Sequence, residues 1–147
     1  MKTFKQYVTE GSNKGRTVFT GRINKLGNFI LSLTKYPRGE ICEQLLSDMK
    51  AYNLISDYDM KQSVIKYPEK APNLSILKKQ VVEFIEHILK MWNKYCDAAG
   101  NDSWKYLEER QMYRDALSAC ESCGFILDFD LNRVIYNTEV MGNNEDI

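Results

Sequence analysis

Apolar side chains at Leu74, Leu77, Val81, Ile85, Ile88, Trp92, Tyr95 and Ala99 are spaced three or four apart, so the pattern predicts a helix over 74–99. Leu89 and Cys96 widen its apolar face, while Lys78, Lys79, Glu83, Glu86, Lys90 and Lys94 are expected to face water. Asn73, just after Pro72, suits the N-cap, and Gly100 suits a left-handed residue past the end. The short run Gly100-Asn-Asp-Ser103 turns the chain back, and Asp102 or Ser103 is placed to cap a second helix over about 104–122. That helix would bury Trp104, Leu107, Met112, Ala116, Ala119 and Cys123, with Tyr113, Leu117 and Cys120 beside them, against the first. An antiparallel helix pair is therefore the expected centre of the fold.

Upstream, Phe19, Ile23, Leu26, Ile30 and Leu33 favour a helix over about 20–35 ended by Pro37, although Gly21 and Gly27 leave open a hairpin turning through Asn24 to Asn28. Residues 39–53 read as a helix with Ile41, Leu45, Met49 and Tyr52 on one face. Ser56 followed by Asp59 resembles a capping box and predicts a short helix within 56–66. After Gly124 the period changes to two: Phe125, Leu127 and Phe129 alternate with Asp128 and Asp130, and Leu131-Asn132 leads into Val134-Ile135-Tyr136. The expected fold is mainly α, with four or five helices around the pair and a C-terminal β-hairpin, an α+β arrangement being the alternative. Domain limits follow: a segment at 1–10, a single globular domain at 17–141, and a frayed acidic tail at 142–147.

Composition adds bounds to this outline. At 147 residues and 44% hydrophobic, the chain is long enough for one packed core, and it contains no apolar run of membrane-spanning length. Its four cysteines are scattered, which favours reduced thiols over a disulfide frame. The net charge is zero, yet residues 1–39 carry eight cations against Glu10 alone. Lys14, Arg16, Arg22 and Lys25 from this basic third are candidate partner-binding residues. Three uses are open to them: compensation of the acidic remainder, contact with an acidic protein partner, or nucleic-acid binding, which Phe4, Tyr7 and Phe19 could assist by stacking.

Candidate catalytic chemistry is sparse. Cys120 and Cys123 have the spacing of a zinc or redox pair, but a structural zinc needs two more ligands and no second compact pair exists, so burial of both thiols is the simpler reading. His87, the single histidine, lies beside Ile88 with no acid or nucleophile cluster to join in the sequence. Asp128 and Asp130 would share one strand face, a geometry able to hold a divalent ion in a small metal-dependent enzyme, but with no third acidic ligand nearby a solvated face is the simpler reading. Gly11-Ser-Asn-Lys-Gly15-Arg16 lacks the ending of a phosphate-binding loop and reads as a linker. None of these patterns requires a cofactor.

The first ten residues, Met1-Lys-Thr-Phe-Lys-Gln-Tyr-Val-Thr-Glu10, resemble the capsid-targeting leader on internal head proteins of T-even-type tailed bacteriophages. Such leaders resemble small amphipathic helices, here with Phe4, Tyr7 and Val8 on one side. In that family the prohead protease cuts after a glutamate preceded two positions earlier by an aliphatic residue, as in Val8-Thr-Glu10. The resemblance implies either an accessory protein that binds a host or phage protein in the host cytoplasm, or an internal head protein packaged with DNA and processed after Glu10. The expected function is the first, a non-enzymatic binder.

Overall fold

The computed structural model describes residues 4–34, 39–70 and 72–135, with side chains described from residue 18 onward except at 39 and 40. Among the described residues, four helices and two hairpins follow in the order α1 (Phe4–Leu33), α2 (Gly39–Ala51), β1 (Asp57–Asp59), β2 (Val64–Lys66), α3 (Leu74–Ala99), α4 (Leu107–Ser122), β3 (Ile126–Asp128) and β4 (Arg133–Ile135). The mainly helical fold with a C-terminal hairpin is the expected one.

Helix α3 matches its pattern from end to end. Asn73 caps it, its side-chain oxygen accepting from the Ile76 amide at 3.0 Å, and Gly100 follows it with φ +56°. Leu77, Val81, Ile85 and Ile88 are buried. Lys78, expected in water, is only 5% exposed, because it lies on the helix between Leu74 and Val81 where the buried face is broad. Helix α4 runs back along α3, and Ala116 and Ala119 are buried, which allows close approach.

Helix α1 is longer than its periodic segment. It continues through 11–16, so the expected linker is helical, and its 30 residues span about 45 Å. The hairpin alternative at 24–28 does not form, since Phe19, Ile23, Leu26 and Ile30 all reach the core from one helical face. Helix α2 ends in a Schellman motif: Leu54 N–H donates to Met49 O, Asn53 N–H donates to Lys50 O, and Asn53 takes φ +63°.

The short helix expected within 56–66 is instead the antiparallel pair β1–β2, with Tyr58 opposite Ile65. Asp59 does not close a capping box. Its carboxylate accepts from the Gln62 amide at 3.1 Å and so shapes the turn between the strands. Tyr67, just past β2, donates its hydroxyl to Asn24 O at 3.1 Å and ties this hairpin to α1.

A second Schellman motif ends α4, with Phe125 N–H donating to Cys120 O, Gly124 N–H to Glu121 O, and Gly124 at φ +94°. It directs the buried Phe125 onto Phe19, ring centroids 6.0 Å apart and edge to face. Strand β3 then pairs with β4, Leu127 opposite Val134. The alternation stops earlier than expected: Phe129 belongs to the turn and is exposed, because Asp128 already begins that turn. Tyr136 and the expected tail 142–147 lie outside the described residues. One core joins residues of all four helices with Leu54, Ile55, Phe125 and Val134.

Candidate interaction site

The corner between α3 and α4 is where the structure departs most usefully from the helical pattern. Trp104 and Leu107 continue the apolar spacing of α4, yet the helix begins only at Leu107 and Trp104 is 80% exposed. Neither Asp102 nor Ser103 caps α4. Asp102 instead accepts from the Trp104 amide at 2.9 Å, and Tyr106 occupies the cap position in the left-handed region, φ +54°.

Arg110, one turn into α4, reaches back over this corner. Its guanidinium donates to Ser103 O at 2.8 Å and to Lys105 O at 2.8 and 3.1 Å, and the Asp102 amide donates to Ala99 O. The Tyr106 ring rests against Tyr95, centroids 5.3 Å apart, with the Lys105 ammonium 5.5 Å from its centre. Residues 102–106 are thus held by hydrogen bonds at both ends while the indole between them stays in water. A left-handed tyrosine costs conformational energy that surrounding contacts must offset. An exposed, preorganised tryptophan is the side chain most enriched at binding hot spots.

A cleft of about 300 Å³ opens farther along α4, lined by Trp92, Arg114, Leu117, Ser118, Glu121 and Phe129. Trp92 and Phe129 form its aromatic wall, edge to face at 6.1 Å. The β3–β4 turn that carries Phe129 is fixed: the Asp128 carboxylate accepts from the Asp130 and Leu131 amides, and the Asn93 side chain donates to that of Asn132. Leu117 is the buried floor, and the polar groups of Arg114, Ser118 and Glu121 make no hydrogen bond or ion pair among the described residues.

The residues singled out in the sequence do not converge on one place. On α1, positions 14, 22 and 25 fall within an arc of about 80°, whereas position 16 lies on the far side, at the geometry of 3.6 residues per turn. The Lys14, Arg16 and Glu10 side chains lie outside the described residues. Arg22 donates to Cys123 O at 2.9 Å, a cation placed at the C-terminal end of α4 where the helix dipole favours it. Lys25 is exposed, its ammonium 5.9 Å from the Phe29 ring centre.

Cys42, Cys120 and Cys123 are buried and Cys96 is half-buried, all four as free thiols. Burial pushes the Cys120 and Cys123 thiols up, the latter against the pull of Lys25 and Arg22, which keeps both protonated and poorly nucleophilic. Among the described residues no three His, Cys, Asp or Glu side chains cluster as a metal site. Asp130 sits in the turn and Asp128 in β3 with its carboxylate bound to backbone, so the expected shared strand face is not formed.

His87 does acquire an acidic neighbour, contrary to the sequence reading. Asp48 on α2 brings Oδ2 to 3.4 Å from Nε2, within ion-pair reach of a protonated ring but not hydrogen-bonded, and the Tyr52 ring lies 5.5 Å away. The Asp48 charge also acts on the Tyr113 phenol, which burial first of all pushes up to about 12 and so keeps protonated and poorly nucleophilic. Compared with known proteins, this chain matches no family model, no curated protein and no solved structure. No described helix is long and apolar enough to cross a membrane.

The exposed tryptophan escaped the sequence reading because Trp104, Leu107 and Met112 extend the apolar period of a helix. Only the left-handed Tyr106 separates them, and a tyrosine carries no sequence signal for positive φ.

Proposed function

We propose that this chain is a non-enzymatic accessory protein of a tailed bacteriophage that acts by binding another protein, host or phage, through the Trp104 corner. The observation that carries the binding role is Trp104, 80% exposed on a backbone that Arg110 and Asp102 hold in place. A large apolar side chain kept in water by a rigid support loses little ordering entropy when a partner covers it. The phage origin rests on the leader-like residues 1–10.

Affinity capture from infected host cells with the wild type and Trp104→Ala tests this. The variant should fold as the wild type does, since the indole touches little of the core, with stability changed by no more than about 0.5 kcal/mol. A partner retained by the wild type and lost by the variant is expected; identical captured proteins would refute the assignment. A second reading, packaging inside the head with cleavage after Glu10, is favoured by Val8-Thr-Glu10. It requires mass spectrometry of purified virions to find a chain beginning at Gly11, and a virion copy that still begins at Met1 would refute it.

A further inference from the structure

The chain repeats one unit. After α2 it reads Asn53-Leu-Ile-Ser-Asp-Tyr-Asp-Met60 and then Val64-Ile65, and after α4 it reads Gly124-Phe-Ile-Leu-Asp-Phe-Asp-Leu131 and then Val134-Ile135. Each stretch leaves its helix through a Schellman motif on a left-handed residue, Asn53 or Gly124, and each then forms an antiparallel hairpin. Aligned on these motifs, Glu43, Ser47, Lys50 and Tyr58 correspond to Arg114, Ser118, Glu121 and Phe129. The second hairpin starts sooner after its helix, yet in both units the aromatic side chain faces the same stripe of that helix.

The two units differ in what satisfies the stripe. In the first, the Tyr58 hydroxyl donates to Glu43 Oε1 at 3.3 Å beside the Ser47 hydroxyl, and Lys50 pairs with Asp57 at 3.4 Å. In the second, Phe129 brings no hydroxyl and Asp128 is committed to its turn. Arg114, Ser118 and Glu121 are exposed there and have no hydrogen bond or ion pair among the described residues. Beside them lies the cleft of about 300 Å³, with Trp92 and Phe129 as walls and Leu117 as floor.

We infer that this cleft binds a small aromatic zwitterion, of which a free aromatic amino acid is the simplest: its ring lies against Trp92 and Phe129, its carboxylate on Arg114 and Ser118, and its ammonium on Glu121. The opposite charges decide the class. Arg114 and Glu121 lie on one face of α4, two turns and about 10 Å apart, with Ser118 between them. A simple anion would gain Arg114 and be repelled by Glu121, and a simple cation would meet the reverse. A ligand carrying both charges answers both, and the forked donors of an arginine match a carboxylate. The volume, at the small end of ligand pockets, suits one ring system with its polar groups. Asp128 and Asn132 already hold the turn that carries Phe129, so little ordering is lost on binding. This site is separate from the Trp104 corner and does not depend on the role proposed for it.

Titration of L-phenylalanine into the isotope-labelled full chain, followed by NMR, tests the site. The indole N–H signals of Trp92 and Trp104 serve as reporter and control. The Trp92 signal should shift saturably with a dissociation constant of about 0.1–1 mM, while the Trp104 signal stays in place. Phenylpropanoate lacks the ammonium and phenethylamine lacks the carboxylate, so each should bind about 5-fold more weakly. Arg114→Gln should weaken L-phenylalanine by about the same factor without weakening phenethylamine, and Glu121→Gln should do so without weakening phenylpropanoate. Both side chains are exposed, and damage to the fold would not sort the ligands in this way.

Three results would each overturn the inference. One is no saturable shift of the Trp92 signal up to about 20 mM ligand. Another is equal binding of the blocked N-acetyl-phenylalaninamide, which would mark a pocket for a peptide side chain instead. The third is a pair of variants that weaken every ligand alike.

Discussion

Gly27→Ala provides a direct test of how hairpin β1–β2 docks on α1. Replacing a helix-interior glycine by alanine normally stabilises by about 1 kcal/mol through backbone entropy. At Gly27 the added Cβ would stand 2.5 Å from the Tyr67 hydroxyl oxygen, far inside van der Waals contact, while the next atoms, Tyr67 Cζ and Ile65 Cδ1, are at an ordinary 3.5 Å. The phenol must therefore move by nearly 1 Å, and its hydrogen bond to Asn24 O goes with it. Losing that bond costs about 1 kcal/mol and forcing the half-buried ring aside about 2 kcal/mol. Set against the helical gain, Gly27→Ala should destabilise by about 2 kcal/mol.

Two companion variants isolate the cause. At Gly21, on the same helix, an added Cβ would meet nothing within 4 Å, so Gly21→Ala should stabilise by about 1 kcal/mol. In a Tyr67→Phe background the clashing oxygen is gone, and Gly27→Ala should stabilise by the same amount, a coupling of about 3 kcal/mol in the double-mutant cycle. Urea unfolding followed by circular dichroism at constant slope measures all of these chains. Gly27→Ala as stabilising as Gly21→Ala, or a coupling under about 0.5 kcal/mol, would refute the close approach of Tyr67.

Three further outcomes follow from the packing. Arg22→Met keeps the aliphatic stem but removes the donor to Cys123 O, and should lower stability by about 1–2 kcal/mol in the same urea assay. Burial, then the negative charges of Asp48, Tyr95 and Glu109, push the Tyr113 phenol up to about 12 from 10.0. Above pH 10 the unfolded chain thus releases a proton that the folded one keeps, so stability is full below pH 10 and falls between 10 and 12. Tyr113→Phe should make that alkaline decline shallower in pH-resolved unfolding, with Tyr58 and Tyr67, raised chiefly by burial, supplying the remainder. A thiol-reactive chromogen should modify Cys96 first in the native protein, and Cys42, Cys120 and Cys123 only on unfolding; rapid native reaction at Cys120 would contradict its burial.

The helices were legible because each carries a local instruction repeated many times. The 74–99 stripe, the Asn73 cap and Gly100 all name the same element, and no neighbour is needed to read them. The C-terminal hairpin was legible for the same reason, through alternation after Gly124. Segments with weak or double signals were decided by tertiary contact. Residues 56–66 hold a plausible capping box in Ser56 and Asp59, but Tyr67 bonds to α1 and Ile65 packs on the core, so the extended pairing gains contacts that a short isolated helix lacks.

The candidate site was illegible for a related reason. Apolar spacing marks which side chains would share a helical face, and it does not record where a helix begins. Arg110 hydrogen-bonds the backbone of residues 103 and 105 and Tyr106 turns left-handed, so Trp104 leaves the stripe that its spacing assigned to it. The cleft needs α3, α4 and the β3–β4 turn together, and the meeting of Asp48 with His87 needs α2 beside α3. Sequence alone determined the periodic elements of this protein, because periodicity is a local property; the exposed indole, the cleft beside α4 and the placement of Arg22, Arg110 and Asp128 were decided by tertiary structure, because they depend on which distant backbone comes within hydrogen-bonding reach.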